Sequence, residues 1–256
     1  MITTFSVVVL GLTTFLIVRR RTKRGGFKKG KVLVCAHITN VDVVGSSNAQ
    51  NNLKNIKLLL DNDIDVIEMD VQITRDGVPV LFHDNTLDER TNGSGRIQDL
   101  NWSDVSKISY NADSTQGITR LQDAIELLKK SRKNTIFQLD KCDASEVKRI
   151  NEMGLFNGVK DQILCKAESF TKSQAVVDSG VMYMPILPSS YVGRMNNDAV
   201  IDEIVNKCKG SQFLEAQFSD ADTKLTDGTL SKKLEKIGCR LLVVAVGGNQ
   251  YTNGKS

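Results

Sequence analysis

The sequence predicts an α/β protein of the TIM-type (β/α) barrel class, and three observations support this prediction. From residue 32 onwards, short runs rich in β-branched residues alternate with helix-like stretches, as in the βα units that build a parallel sheet. Several runs end in a histidine or an acidic residue, and the carboxyl ends of barrel strands form the mouth of an active site. One connection is too short for a helix and contains Asp-Gly, which indicates a β-hairpin.

The apolar runs predict seven parallel strands, separated by helix-like stretches. The strands are Val32–Ala36, Val66–Val71, Thr135–Leu139, Gln162–Lys166, Met182–Ile186, Phe213–Gln217 and Leu241–Val246. The helices are Asn51–Leu60, Leu121–Lys130, Ser145–Met153, Lys172–Val177, Ala199–Lys207 and Leu230–Ile237. After Val246 the chain continues without a further strand pattern. We therefore expect a barrel that lacks its last strand, with a gap at the edges of its first and seventh strands or a partial covering of them by Tyr251 and the N-terminal segment.

The β-hairpin is predicted as an insertion at the barrel mouth. It joins the strand that ends at Asp70 to the run Pro79–His83. If Asp76 and Gly77 form a two-residue type I′ turn, the register places Asp70 directly opposite His83. The hairpin would then bring a carboxylate against a histidine.

The first 31 residues predict a membrane anchor. Residues 2–18 are uncharged and approach the length that spans a bilayer. Eight Lys or Arg and no acidic residue follow within residues 19–31, which favours a single-pass membrane protein with its barrel on the cytoplasmic side. A cleaved signal peptide and a buried helix are the alternatives. The predicted domains are the anchor with its basic flank, 1–31, and the barrel, 32–256.

The charge distribution argues against one class of partner. The net charge of +4 includes the eight basic residues near the N-terminus, so the rest of the chain carries a net charge of −4. A nucleic-acid-binding protein needs basic residues spread over its folded surface. We therefore expect the membrane as a partner through residues 2–18, and no nucleic acid.

Five polar side chains are candidates for a functional site. His37 and His83 each follow an apolar run, which places them at the barrel mouth. Glu68 and Asp70 lie two positions apart on one strand, so their side chains share a face, and Asp140 ends another strand. Buried carboxylates require a cation or strong donors. Three of them without a thiolate predict a site for Ca²⁺ or Mg²⁺.

A family resemblance is visible around the hairpin. The stretch Ile67–Gly95 contains Ile67-Glu68-Met69-Asp70-Val71-Gln72 and Val80-Leu81-Phe82-His83-Asp84, and it resembles the signature block of the glycerophosphodiester phosphodiesterases. Asp99-Leu100 and Leu121–Ala124 resemble the family segments that follow this block. The resemblance covers about residues 32–246 and is strongest over 66–100.

The resemblance implies a TIM-barrel hydrolase with a defined set of site residues. The family cleaves glycerophosphodiesters to glycerol phosphate and an alcohol, and lysophospholipids are a related substrate class. Carried over to this sequence, His37 and His83 become the acid/base pair. Glu68, Asp70 and Asp140 become the ligands of the divalent metal.

Other positions show where the chain follows the family and where it departs. Lys141 matches a lysine that would contact the phosphate in one branch of the family, whereas other branches have this lysine at the position of Cys142. The family's His-Arg-Gly reads His37-Ile38-Thr39, and its Glu-Asn-Thr reads Gln50-Asn51-Asn52. An aliphatic side chain at Ile38 cannot replace a guanidinium that binds phosphate. The alternative function is therefore a catalytically impaired barrel that acts as a membrane-tethered binding or scaffold protein.

Overall fold

The computed structural model describes residues 7–10, 33–39, 48–131 and 133–245, which belong to two compact units. The first, which we call the hairpin unit, comprises residues 36–165 and 173–181. The second, which we call the terminal unit, comprises residues 166–172 together with the described residues up to Cys35 and from Met182 onwards.

Strands and helices alternate through most of the described chain. The strands are β1 (Val7–Leu10), β2 (Val34–Ala36), β3 (Val66–Ile73), β4 (Pro79–Leu81), β5 (Thr119–Arg120), β6 (Ile136–Asp140), β7 (Ile163–Ala167), β8 (Met182–Pro185), β9 (Phe213–Ala216) and β10 (Arg240–Ala245). The helices are α1 (Leu53–Asp61), α2 (Trp102–Val105), α3 (Leu121–Ser131), α4 (Ala144–Glu152), α5 (Gln174–Ser179), α6 (Asp198–Lys207), α7 (Thr223–Thr226) and α8 (Thr229–Lys236). The predicted α/β class, with all seven predicted strands and all six helices, is confirmed.

Parallel strands form the centre of the hairpin unit. β3 pairs in parallel with β6, and β6 pairs in parallel with β7. The β3–β6 register sets Glu68 opposite Gln138 and Asp70 opposite Asp140. The first six residues of β3 are all buried, which explains why this strand is a nearly continuous apolar run interrupted only by its two acids.

The hairpin of β3 and β4 is present, but its register differs from the predicted one by one residue. Ile73 pairs with Pro79 and Val71 with Leu81, and the Phe82 amide donates to the Asp70 carbonyl over 3.0 Å. Phe82, not His83, therefore lies opposite Asp70. The predicted two-residue turn is wrong.

The turn itself explains the shift in register. The Thr74 amide donates to the Val78 carbonyl over 3.0 Å, and the Gly77 amide donates to the Thr74 carbonyl over 2.8 Å. Gly77 has φ +91°. This is a three-residue loop that ends in a left-handed glycine. The Asp76 carboxylate accepts hydrogen bonds from the Thr74 hydroxyl and the Trp102 amide, and these bonds select the longer loop.

The segment after the hairpin packs into a small core of its own. Phe82 and Tyr110 lie with their ring centroids 6.1 Å apart. The buried residues of this core are Ala49, Val80, Phe82, Leu87, Ile97, Val105, Tyr110 and Ile118. Val80 and Phe82 lie just before His83 in the sequence. Because both are buried in this core, the core fixes the end of the hairpin that leads to His83.

In the terminal unit, β1 is a strand that the sequence analysis assigned to the membrane anchor. It pairs in parallel with β10, from Val7 opposite Leu242 to Leu10 opposite Ala245. On its other side it pairs with β2, with Val8 opposite Val34. β9 pairs with the far edge of β10, and an isolated parallel bridge joins Ile186 to Glu215. The expected gap between β2 and β10 is therefore wrong, and the alternative that the N-terminal segment covers these edges agrees with the pairing of β1.

The predicted membrane location is wrong as well. Within the described part of the chain, the helices lack the length and apolar character needed to cross a bilayer. A run such as Val7–Leu10 fits a buried parallel strand as well as a membrane segment, because both are continuously apolar. The basic run within residues 19–31 and the residues after Ala245 lie outside the described residues. The domain division at residues 31 and 32 stays a prediction.

The core of the terminal unit is formed by its helices packed on β9 and β10. Ile201 and Ile204 of α6, Leu230 and Leu234 of α8, and Leu214 of β9 are fully buried in one cluster. This cluster gives the unit a hydrophobic centre that contains none of the predicted site residues.

Candidate functional site

Three carboxylates converge in the hairpin unit at the ends of two neighbouring strands. Glu68 and Asp70 are 1% and 2% exposed, and Asp140 is half-buried. One ligand atom from each of the three lies within 4.8 Å of the others. The strands explain this placement, because Glu68 and Asp70 share one face of β3 and Asp140 pairs with Asp70 across the ladder.

Asn51 holds the Asp70 carboxylate from the start of α1. Its side-chain amide donates to Asp70 Oδ2 over 3.0 Å, and its Oδ1 accepts from the Asp70 amide over 3.4 Å. Asn51 is fully buried and has φ +50°, a left-handed conformation that asparagine tolerates better than most residues. The amide fixes one oxygen of Asp70 and so orients the carboxylate.

The neighbouring asparagines tie this segment to the turn that follows His37. Asn52 caps α1, because its Oδ1 accepts from the Asn55 amide over 2.9 Å. The Asn55 side chain donates to the Thr39 carbonyl over 3.2 Å and to the Ala49 carbonyl over 3.1 Å. One buried polar network therefore connects the segment after His37 with the helix start that contacts Asp70.

His37 lies beside the carboxylate cluster. Its Nε2 is 4.0 Å from Glu68 Oε2, and its side chain is 48% exposed. The ring therefore reaches both the buried cluster and the surrounding solvent. The side chain of Ile38, where the family pattern has arginine, lies outside the described part of the chain.

His83 is oriented by a chain of charged side chains. Its Nδ1 lies 2.6 Å from Asp84 Oδ1, and Arg90 Nε donates to Asp84 Oδ2 over 2.5 Å. Partial burial acts to raise the pKa of Asp84, but the hydrogen bonds from His83 and Arg90 outweigh it and hold that pKa below its ordinary value. Because an ionised carboxylate only accepts hydrogen bonds, Nδ1 carries the proton and Nε2 is left to exchange protons.

Lys141 connects His83 to the carboxylates. Its ammonium lies 3.7 Å from Asp70 Oδ1 and donates to the His83 backbone carbonyl. Lys141 has φ +52°, and its amide donates to Asp140 Oδ1 over 2.7 Å. Lys141, the residue after β6, therefore contacts Asp70 and Asp140 as well as the backbone of His83.

The structure brings the predicted site residues into one part of the hairpin unit, and it adds three that sequence reasoning missed. These are Asn51, Asp84 and Arg90. Asn51 was read only as part of a helix start, although its position in the Gln-Asn-Asn run, matching the family's Glu-Asn-Thr, was a usable signal. The Arg90 contact depends on the loop that follows the hairpin, and we find no sequence signal for it.

The cluster fits a hard divalent cation. It offers three carboxylates and no thiolate, and hard cations prefer oxygen ligands. Burying such like charges together is costly without a compensating cation. Glu68, Asp70 and Asp140 are the residues that could hold the ion, and the donor set does not distinguish Ca²⁺ from Mg²⁺.

Comparison with known proteins gives consistent matches. The model of the Glycerophosphoryl diester phosphodiesterase family matches residues 44–204. Glycerophosphodiester phosphodiesterase 1 of Rattus norvegicus is 46% identical over 66 residues, which is 25% of this chain and 20% of that protein. Glycerophosphodiester phosphodiesterase of Bacillus subtilis is 31% identical over 104 residues, 40% of this chain and 34% of that protein. The matched segments therefore span about a fifth to a third of these curated relatives.

Solved structures show the same fold. Glycerophosphodiester phosphodiesterase from Agrobacterium tumefaciens matches with a TM-score of 0.55 and 19% identity, over 82% of this chain and 86% of that one. An Oleispira antarctica phosphodiesterase in complex with the product sn-glycerol-3-phosphate matches with a TM-score of 0.56 and 18% identity, over 83% of this chain and 92% of that one. These neighbours are TIM-barrel proteins. The family model covers more than half of the chain, and we conclude that this chain belongs to the glycerophosphoryl diester phosphodiesterase family.

Proposed function

We propose that the protein hydrolyses glycerophosphodiesters to glycerol phosphate and an alcohol, with a divalent metal ion bound by Glu68, Asp70 and Asp140. The observation that carries this proposal is the convergence of three carboxylates, with His37 Nε2 4.0 Å from one of them, in a member of this family. The names of the relatives and the glycerol phosphate product held by the Oleispira protein support the substrate class. The alternative of a catalytically impaired scaffold is not favoured by these matches.

In this mechanism the two histidines move protons on opposite sides of the phosphorus. His83 presents Nε2 as the base because Asp84 holds Nδ1 protonated, and it removes a proton from the attacking hydroxyl, either of water or of the substrate's glycerol. The new oxygen–phosphorus bond forms as the bond to the leaving alcohol breaks. His37 donates the proton that this alcohol needs.

Other side chains bind and orient the substrate. When bound, the metal ion would neutralise charge on the phosphodiester oxygens and acidify the attacking hydroxyl. Lys141 lies close enough to Asp70 to add a positive charge near the same oxygens. Asn51 keeps Asp70 oriented, and Arg90 keeps Asp84 oriented. Both act as positioning residues.

A glycerol phosphate release assay tests the proposal. The full chain is incubated with glycerophosphocholine in Mg²⁺, in Ca²⁺ and in EDTA, beside the variant His83→Gln. We expect release in at least one metal, and a loss of about 10²–10⁴-fold in His83→Gln, the usual contribution of a general acid or base. Asp161→Asn, which changes an exposed aspartate of the same unit, serves as the control and should keep full activity.

Two results would change the conclusion. Absence of release in every metal, from glycerophosphocholine and from glycerophosphoserine alike, would contradict the proposed activity. Faster cleavage of lysophosphatidylcholine than of glycerophosphocholine would move the substrate class to lysophospholipids.

A further inference from the structure

A groove of about 720 Å³ lies in the hairpin unit between the β3–β4 hairpin and α4. One wall is formed by the end of β3 and by Arg75, and the other by residues of α4 that include Lys148 and Arg149. Lys141 and Asn85 also line it. The mechanism above uses only Lys141 from this groove.

The groove opens next to the candidate catalytic residues. Lys141 lines it and also lies 3.7 Å from Asp70 Oδ1, and the Lys141 ammonium donates to the His83 carbonyl. Asn85, two positions after His83, lines the same groove. A phosphodiester bound at the carboxylate cluster could therefore extend one of its two alcohols into the groove.

The charges of the groove are unbalanced. Arg75, Lys141, Lys148 and Arg149 line it against two acids, Glu146 and Glu152. Lys148 lies 3.8 Å from Glu152, so these two largely offset each other. Lys141 is offset in the same way by Asp70, 3.7 Å away, so the surplus of positive charge comes from the two arginines.

The remaining acid is engaged within its own helix. Glu146 Oε2 accepts from the Asp143 amide over 2.7 Å in the capping box of α4. Burial raises the pKa of Glu146, against the effect of that hydrogen bond, which further weakens it as a partner for a groove cation.

The two arginines are free to bind an anion. Within the described residues, neither Arg75 nor Arg149 forms an ion pair. Arg75 Nε donates to Asn101 Oδ1 over 3.1 Å, which holds the guanidinium with its remaining donors available. Arg149 packs on the hairpin turn, where a Cβ added at Gly77 would lie 2.7 Å from its Nη2. Both guanidinium groups are thus positioned by the fold, and a planar guanidinium matches a carboxylate or a phosphate.

We propose that this groove binds the leaving alcohol of the substrate and selects alcohols that carry an additional anionic group, a carboxylate or a phosphate. This inference rests on the proposed function and deepens it by naming the substrate subclass. Cationic alcohols such as choline and ethanolamine gain no partner among the arginines and are repelled by the surplus positive charge.

Two substrates that differ by one carboxylate test the proposal. Glycerophosphoserine and glycerophosphoethanolamine share the glycerol phosphate and the ammonium group, and only the serine compound adds a carboxylate. We expect kcat/KM of the full chain to be higher for glycerophosphoserine. The double variant Arg75→Gln/Arg149→Gln should lower the ratio of the two kcat/KM values by about 10-fold, the size of one charge-assisted hydrogen bond lost.

The control and a salt series sharpen the test. Arg96→Gln changes an exposed arginine of the same unit outside the groove and should leave the ratio unchanged. Raising the salt concentration should lower the ratio in the parent protein more than in the double variant, because salt screens exposed charges. If the double variant does not fold, as judged by thermal unfolding, Arg75→Gln alone carries the test, since the Arg75 side chain is held by a single hydrogen bond to the half-buried Asn101.

The outcomes separate this inference from the proposed function. Equal hydrolysis of both substrates, or an equal loss for both in the double variant, overturns the groove as an anion-selective subsite and leaves the activity intact. If neither substrate is hydrolysed, the proposed function fails. Calorimetry then measures the affinity of glycerophosphoserine for the parent and for the double variant. Equal affinity would overturn the proposal that the groove binds the anionic alcohol.

Discussion

The two units of the protein treat buried acids in opposite ways. In the terminal unit, the fully buried Asp222 accepts hydrogen bonds from the amides of Gly193, Met195 and Ser219, and Glu215 lies 3.2 Å from the Lys166 ammonium. Each acid there has its own donors. In the hairpin unit, three carboxylates converge within 4.8 Å.

This difference separates acids that stabilise the fold from acids that form a site. A buried carboxylate with several amide donors stabilises the loops that supply them. Carboxylates that lie close together repel one another, which destabilises the fold. A bound cation would offset this repulsion, so such a cluster is a cation-binding position. The arrangement of the acids, more than their burial, therefore identifies the functional region.

The largest expected effect is on activity, from Asp70→Asn. Removing one of the converging charges should lower glycerol phosphate release by roughly 10²–10³-fold, because metal binding at the site contributes several kcal/mol. In EDTA the same change should leave the free energy of unfolding unchanged or raise it by about 0.5–1 kcal/mol, since a like charge is removed. Denaturant unfolding measures the second quantity. A variant that is clearly destabilised would contradict the comparison.

Asp222→Asn should show the reverse pattern. The asparagine has one acceptor oxygen where Asp222 has two, and it places an NH₂ group against amide donors. We expect the free energy of unfolding to fall by about 2–4 kcal/mol, with activity per folded molecule nearly unchanged. Urea unfolding at neutral pH, beside the exposed control Asp202→Asn, measures this loss.

The effect of Asp222 should also depend on pH. Burial acts to raise the pKa of Asp222, but the amides of Gly193, Ser219 and Met195 outweigh it and lower that pKa below 3.8. A lowered folded-state pKa gives stability that is fully present above the ordinary carboxyl pKa and is lost as the pH falls through the folded-state value. The difference between parent and Asp222→Asn should therefore shrink below about pH 4. A difference that stays constant down to pH 2 would argue against this carboxylate as the cause.

A smaller effect is expected for Asn51→Gly, which removes the amide that holds Asp70 and keeps a residue suited to φ +50°. Loss of a group that orients a metal ligand typically weakens binding by about 10–100-fold, and we expect the lower end of this range. Calorimetric titration with Mg²⁺ or Ca²⁺ measures it directly. Asp63→Gly is a matched control, because Asp63 also has a left-handed backbone, with φ +58°.

The smallest expected effect is that of Gly77→Ala at the hairpin turn. The alanine would be strained at φ +91°, and its Cβ would lie 2.7 Å from Arg149 Nη2. We expect a loss of about 1–2 kcal/mol in the free energy of unfolding. Gly210→Ala in the terminal unit has a similar φ of +83° and no atom within 4 Å, so the difference between the two variants isolates the contact with Arg149.

Much of the architecture was predictable because it depends on local patterns. The alternation of side chains along β3 was enough to put Glu68 and Asp70 on one face, and the position of Asp140 at a strand end was enough to place it nearby. Apolar runs also located seven strands to within a few residues. These features are encoded over five to ten neighbouring residues.

The failures came where distant residues decide the outcome. The Trp102 amide helps to select the three-residue hairpin loop, and no residue close to Asp76 in the sequence indicates this contact. Val7–Leu10 is a strand because β2 and β10 offer edges to pair with, whereas its apolar sequence alone suits a membrane equally well. The contact of Asn51 with Asp70 spans nineteen positions, and only the family resemblance of the Gln50-Asn51-Asn52 run could have indicated it.

The position of β1 has a consequence for the order of folding. Val7 pairs with Leu242, so nearly the whole described chain must be synthesised before this contact can form. The β3–β6 and β6–β7 pairs need only residues up to Cys165 and can form earlier on the ribosome. Pairing between distant segments is slow because a large loop must close first. We therefore expect β1 to be among the last strands to pair. Until it pairs, its apolar residues are exposed to chaperones and to other chains.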